Sequence, residues 1–355
     1  MSKPTVVSKP TAVSKPTIAL FMGDPAGIGP ELVAKLLADG TAARQANILL
    51  IGSRESLEDA VQTTGKPFAL TVGEAASARG QVFDVPLLVK WPGLDETGFE
   101  RGQVTPKNGK FMLDALHLGL MLCQDGIADA LCFAPLNKGA LRAGGMNHPD
   151  ELHWFCEVLD FHGACVEFNV LENLWTSRVT SHMPLKDVSA ALSSEKVAEG
   201  VALLTRGLKD SGIASPRIAV CGFNPHNGDN GAFGREEIDI IAPGVELARS
   251  RGNPADGPYP ADTVFVRATK KDGGYDGVLT MFHDQGQIAM KLMGFERGVT
   301  VPGGLPMPIA TPAHGTAYDI AGKGIANLGA MSNAFALACK MGATRRDQKR
   351  AAKSQ

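Results

Sequence analysis

Residues 17–40, TIALFMGDPAGIGPELVAKLLADG, decide the fold. The run 17–22 is apolar without alternation, the pattern of a strand buried on both faces. GDPAGIGPE at 23–31 is a Gly-rich turn, and ELVAKLLADG repeats its apolar residues at helical spacing. Strand, turn and helix follow one another with no intervening linker. The glycines are spaced G-x-x-x-G-x-G, which fits neither the G-x-G-x-x-G fingerprint nor a P-loop. A glycine turn opening a helix still offers backbone N–H groups to an anion or carboxylate.

Working outward, the alternation continues. NILLIGS at 47–53 reads as a second strand, FMLDALHLGLMLCQDG at 111–126 as a helix ending at a glycine, and DALCFAPLNKGAL at 129–141 as strand and loop. RVTSHMPL at 178–185 begins with a strand, a helix follows through VAEGVALLTRGL, and RIAVCGFNP at 217–225 is another strand. EEIDIIAPGVELARS at 236–250 reads as a helix that tolerates Pro243, and GVLTMFHDQG at 277–286 as a strand entering a loop. Alternating strands and helices imply an α/β fold with a largely parallel sheet. Five strands stop at polar, Gly/Pro-bearing loops: GDPAG, APLNKG, TSHMPL, GFNPHNGDNG and MFHDQG. Open α/β sheets bind ligands at the carboxyl ends of strands, so these loops are expected to build one composite site.

Composition bounds the function. The chain has 355 residues, 44% hydrophobic and 20% charged, which is globular usage. Lys plus Arg number 35 and Asp plus Glu 37, for a formal charge of −2, so the basic footprint of a nucleic-acid binder is missing. Six cysteines without a CxxC pair read as reduced thiols of a cytoplasmic protein. No apolar run is long enough for a membrane span. SKPT recurs at 2–5, 8–11 and 14–17, so residues 1–16 are expected to be a disordered tail. The folded unit is placed at 17–343, and TRRDQKRAAKSQ at 344–355 is expected to be a basic tail.

Of the eight histidines, His182, His226 and His283 each follow apolar strand-like text, separated by 44 and 57 residues. Neutral imidazole suits zinc and similar divalent ions, and three protein ligands leave positions open for substrate oxygens. The plainer alternative is that each ring bonds loop backbone. His117 is expected to pack inside its apolar helix, and His162 to sit in a turn. Asp284, next to His283, is placed to orient a ligand. Asp262 in PYPADTVF is a turn acid or a proton relay. Lys291, in IAMKLMGF, and Lys138, in PLNKG, are candidates to hold an anion.

GDPAGIGPE, PLNKG, TSHMPLKD, NPHNGDNGAFGREE, DGPYPADT, MFHDQG and AHGTAYDIAGKGIAN together resemble the 4-hydroxythreonine-4-phosphate dehydrogenase family of pyridoxal phosphate biosynthesis. The resemblance runs from about residue 17 to 340. It implies a two-domain fold like that of isocitrate and isopropylmalate dehydrogenases, with the active site in a cleft between subdomains. It also implies a homodimer with a shared site, where His182, His226 and His283 bind a divalent metal (zinc, magnesium, manganese or cobalt). Lys291 falls on the family's substrate lysine. His314, Gly315, Thr316 and Ala317, with Asp319 to Asn327, fall on the loop for NAD or NADP.

Other family contacts are altered. A His-Thr substrate pair falls on Glu151 and Leu152, an asparagine on Thr300 and an arginine on Ile309. Arginine grips phosphate bidentately and isoleucine does not. The resemblance therefore implies a metal- and NAD(P)-dependent dehydrogenase that oxidises a hydroxyl β to a carboxylate, with decarboxylation. Its substrate is expected to be a small hydroxy acid other than the phosphorylated threonine derivative. The alternatives are a terephthalate dihydrodiol-type dehydrogenase, an authentic member of the threonine-phosphate family, a phosphate acyltransferase on a similar fold, and a non-catalytic binding protein.

Overall fold

The structure is a computed structural model and describes residues 15–354. Residues 1–14, the greater part of the expected tail, lie outside the described residues. Lys15, from the third repeat, bonds the Ala43 carbonyl and pairs with Asp84 at 3.1 Å.

Among the described residues twelve strands form the sheet: β1 (Thr17–Phe21), β2 (Asn47–Ile51), β3 (Thr71–Gly73), β4 (Leu87–Val89), β5 (Ala130–Phe133), β6 (Val166–Leu171), β7 (Leu174–Arg178), β8 (Ile218–Cys221), β9 (Ala255–Tyr259), β10 (Gly277–Thr280), β11 (Val299–Gly303) and β12 (Ile309–Pro312). Their spatial order is β3-β4-β2-β1-β5-β12-β11-β6-β7-β10-β8-β9. The six strands from β3 to β12 run parallel. So do the four from β7 to β9. β11 and β6 join the two sets through antiparallel pairings. The expected α/β architecture with a large, mostly parallel sheet is what the chain adopts. Every residue of β1, β2 and β5 is buried, because helices cover both faces of a parallel sheet.

The expected strand beginning at Arg178 instead ends there, since Leu174-Trp-Thr-Ser form its buried body. HDQG is not a loop: His283 opens the helix His283–Gly294, with Asp284 in its first turn, where an acid complements the helix dipole. Pro243 is accommodated at the start of Ala242–Ser250, after a π-turn at Glu237–Ile241, where its missing N–H costs no helical bond. His117 faces solvent rather than packing inside Pro106–Gln124. The segment expected to be a basic tail continues the helix Gly329–Lys353. Arg345 anchors it by donating to the carbonyls of Cys123, Ala128 and Asp129. Among the described residues no helix is long and apolar enough to cross a membrane.

Candidate active site

A cavity of about 930 Å³ opens where the antiparallel strands join the two parallel sets. Its position follows from the topology: the carboxyl ends of β5, β7, β10 and β12 converge there. His182, His283, Lys138, Glu151, Leu152, Lys291, Thr300, His314 and Gly315 all line it. Nine of the residues singled out from the sequence thus meet in one place.

The two histidines are brought together by register. β7 and β10 pair with Thr280 beside Arg178. His283 comes three residues after one and His182 four after the other, and their ring centroids lie 5.8 Å apart. Asp284 holds the His283 Nδ1 at 2.7 Å, so Nε2 is the nitrogen turned to other work. Gln285 accepts from the Met281 N–H at 2.8 Å and donates to the Gly222 carbonyl at 2.9 Å, tying the ends of β10 and β8. Each residue of HDQ in HDQG thus has a separate structural task.

His226 does not line this cavity. It is exposed in the turn Pro225–Gly231, where His226, Asn227, Asp229 and Asn230 take left-handed φ values of 42° to 61°. Glu237, buried, holds this turn by accepting from the Phe223 and Asn224 N–H groups at 2.7 and 2.6 Å. Glu236 accepts from the Asn224 side chain at 2.6 Å. The paired acids of the NPHNGDNGAFGREE motif are therefore the scaffold of the His226 turn. Asp262 is exposed in the first turn of Ala261–Ala268, a helix that packs beside that turn, and does not line the cavity of its own chain. Among the described residues no three His, Cys, Asp or Glu side chains of the single chain are grouped to hold a metal ion.

Ile309 also leaves the set. It is fully buried, paired with Leu131 in the core, and lines no part of the cavity. An arginine in the place of this isoleucine side chain would put a charge among apolar neighbours. Glu151 does face the cavity, but its carboxylate sits 3.9 Å from Lys138 Nζ, so the two charges offset. Lys138 opens the helix Lys138–Ala143, whose start Asn137 caps by accepting from the Ala140 N–H.

The loop 314–327 packs on the first βα turn. Gly27 is required here: a Cβ would stand 2.8 Å from the Thr316 Cβ. Gly23 has φ +77° and no room for a Cβ beside the Ala134 carbonyl. Ile28 N–H donates to the Thr316 carbonyl at 3.0 Å. Glu31, buried, accepts from the Gly322 and Gly324 amides, and Lys35 donates to the Ala326 carbonyl at 2.7 Å. Tyr318 donates to Asp24 at 2.5 Å. Burial pushes the Asp24 carboxyl above its ordinary value, more than the bonds from Tyr318 and Ala26 lower it. Ala317 has φ 42°, Asp319 is exposed, and Asn327 accepts from the Gly329 N–H at the start of the last helix. Only His314 and Gly315 of this loop reach the cavity wall.

Sequence reasoning missed Arg178, Glu167, Asn169 and Gln287, which form a polar cluster in the cavity wall. Arg178 sat in text read as the start of a strand, yet a lone arginine closing the run LWTSR was its signal.

Residues 44–338 match the family model described as pyridoxal phosphate biosynthetic protein PdxA. A Pseudomonas aeruginosa protein, provisionally named 4-hydroxythreonine-4-phosphate dehydrogenase 2, is 52% identical over 325 residues, covering 92% of this chain and 96% of its own. The D-threonate 4-phosphate dehydrogenase of Cupriavidus necator is 38% identical, covering 87% and 92%. The crystal structure of a 4-hydroxythreonine-4-phosphate dehydrogenase from Burkholderia phymatum superposes with a TM-score of 0.78 at 35% identity, covering 92% and 98%. A terephthalate 1,2-cis-dihydrodiol dehydrogenase from Burkholderia xenovorans gives 0.65 at 25% identity, covering 91% and 97%. These likenesses set aside the acyltransferase alternative, and the chain belongs to the PdxA family of dehydrogenases.

Proposed function

We propose that this enzyme oxidises a phosphorylated hydroxy acid at the hydroxyl β to its carboxylate, using NAD or NADP and a divalent metal. The observation that carries this is the pair of strand-end histidines beside a cavity that also presents Lys138, Lys291 and Arg178. Two separated anionic groups on one small substrate need such a distribution of cations. The expectation of a substrate without the phosphate rested on Ile309, Thr300 and the Glu151-Leu152 pair; Ile309 is buried in the core, while Thr300, Glu151 and Leu152 line the cavity. The names of several relatives carry a phosphorylated substrate.

The donor set fits a borderline divalent ion: two imidazoles, one oriented by a carboxylate. His182 and His283 would hold it from one chain and His226 from a second copy, since His226 is exposed and outside the cavity of its own chain. Such an ion would supply Lewis acidity at the substrate hydroxyl, and a bound dinucleotide would supply the hydride acceptor. Lys291 lies on the same helical face as His283, two turns away, and holds a substrate anion. Lys138, paired with Glu151 at 3.9 Å, is a second cation at the cavity, and it would meet the other anion only by exchanging that partner. His314 and Gly315 place the dinucleotide loop at the cavity edge. The β-keto acid formed by this oxidation is a species that loses CO2.

The test is reduction of NAD or NADP by purified protein with a divalent metal and threonate 4-phosphate or 4-hydroxythreonine 4-phosphate. Turnover of neither, with turnover of a phosphate-free dihydrodiol acid, would replace this reading by the terephthalate type. Mixing inactive His182→Ala and His226→Ala proteins tests the shared site. Random re-pairing of a twofold dimer should restore about a quarter of wild-type activity, whereas a site built within one chain restores none.

A further inference from the structure

We infer that Arg178 is a specificity-determining residue that receives a hydroxyl or oxyanion of the substrate and rejects an ammonium group. The inference rests on the function proposed above and narrows it to the hydroxy acid, threonate-type, member of the substrate class.

Arg178 lines the cavity although its side chain is only 6% exposed. A guanidinium carries five N–H donors. Three are engaged: Nε donates to Ser181 Oγ at 3.0 Å, Nη1 to Asn169 Oδ1 at 3.0 Å and Nη2 to Glu167 at 3.2 Å. These bonds fix the plane of the group. Glu167, the counter-charge, is 36% exposed, so water screens it more than the arginine it faces. The cluster presents a guanidinium held in a fixed plane to the cavity, with its counter-ion Glu167 beside it in the same wall.

Its place relative to the reacting groups is set by two elements. On the helix His283–Gly294, residues His283, Gln287 and Lys291 are spaced by four and share the cavity face. Gln287 donates to the same Asn169 oxygen as Arg178. Arg178 is therefore linked to the middle rung, with the histidine and the lysine each about 6 Å along the helix to either side. Across the sheet, Asn169 stands beside Thr300 in register, and Thr300 lines the cavity. A substrate spanning from the histidine pair to Lys291 passes over Arg178.

Threonate 4-phosphate and 4-hydroxythreonine 4-phosphate differ in what they present between their reacting carbon and carboxylate: a hydroxyl in one, an ammonium in the other. A hydroxyl or carboxylate oxygen accepts from Arg178. An ammonium has no acceptor to offer and meets like charge at a desolvated site.

The experiment measures kcat/KM for both compounds, and equilibrium binding of each without dinucleotide, on wild type, Arg178→Gln and Arg178→Lys. Wild type should favour the hydroxy acid by about ten- to a hundredfold. Arg178→Gln should lose most of that preference, chiefly through a higher KM for the hydroxy acid. Arg178→Lys should keep the discrimination against the ammonium while binding more weakly. Equal use of the two compounds by wild type overturns the inference without needing any variant, and so does an unchanged ratio in folded Arg178→Gln. If wild type binds the hydroxy acid selectively but oxidises neither compound, the proposed function fails while the subsite stands.

Discussion

The loop 314–327 and the histidine-bearing strand ends face the same cavity and are held in different ways. The loop is tied to the first βα turn by buried groups: Glu31 on two glycine amides, Thr316 against Gly27, Tyr318 on Asp24. The strand ends are placed by the parallel register of β7 and β10, and their side chains stay half-buried or exposed. One region gains its shape from satisfied local bonds, the other from the sheet beneath it. Buried bonds resist change and keep a binding loop fixed, whereas side chains that must meet ligands keep their polar atoms accessible.

This contrast is broken most sharply by His283→Ala. The ring is not part of the core, so the fold should survive while kcat falls more than about 100-fold. Unchanged turnover would mean the strand-end histidines are surface groups. Asp284→Asn sharpens the point. It leaves the ring in place but loosens its orientation, and metal affinity or activity should drop about 10- to 100-fold, read by metal titration as well as rate.

The loop should respond through stability instead. Glu31→Ala leaves the Gly322 and Gly324 amides without their acceptor and should cost about 1–3 kcal/mol, seen as a lower Tm. The KM for the dinucleotide should rise while that for the hydroxy acid stays. A raised hydroxy-acid KM alone would show that the loop serves the substrate side.

Asp24→Asn is the smallest and depends on pH. The folded Asp24 carboxyl titrates above its ordinary value because it is buried. Its stability contribution is thus complete below the ordinary value and is lost as pH rises through the folded one. The asparagine variant should match wild type in acid and gain on it as pH rises through that folded value. Thermal unfolding across the acid-to-neutral range reads the difference. A gain that grows toward acid would reverse the assignment.

Much of this was legible in the sequence for identifiable reasons. β1, β2 and β10 showed as plain apolar runs because both sheet faces are covered. His182 and His283 were legible because strand-end polarity marks the carboxyl edge of a parallel sheet. His226 carried the same signal, but a strand-end position does not say how far its turn swings from the cavity. The burial of Ile309 was not legible, because a motif position carries no depth along its strand. Arg178 was passed over because its partners Glu167, Asn169 and Gln287 lie on other elements, joined to it only by pairing across β6 and by a helix turn.

His182 and His283 are 101 residues apart in the chain, and between them run two further strands, β8 and β9. None of that intervening text sets the separation of the rings, because β7 and β10 are direct neighbours in the sheet. Outside the His226 turn and the Gly222 carbonyl that Gln285 bonds, the loops and helices between them are therefore free to lengthen or shorten without moving the two rings. A deletion of one residue between Arg178 and His182, by contrast, shifts one ring against the other with nothing to compensate. Tolerance to length change should run opposite to the usual guess: wide across the long excursion outside the His226 turn, and none in the three residues 179–181 that read as an ordinary surface loop.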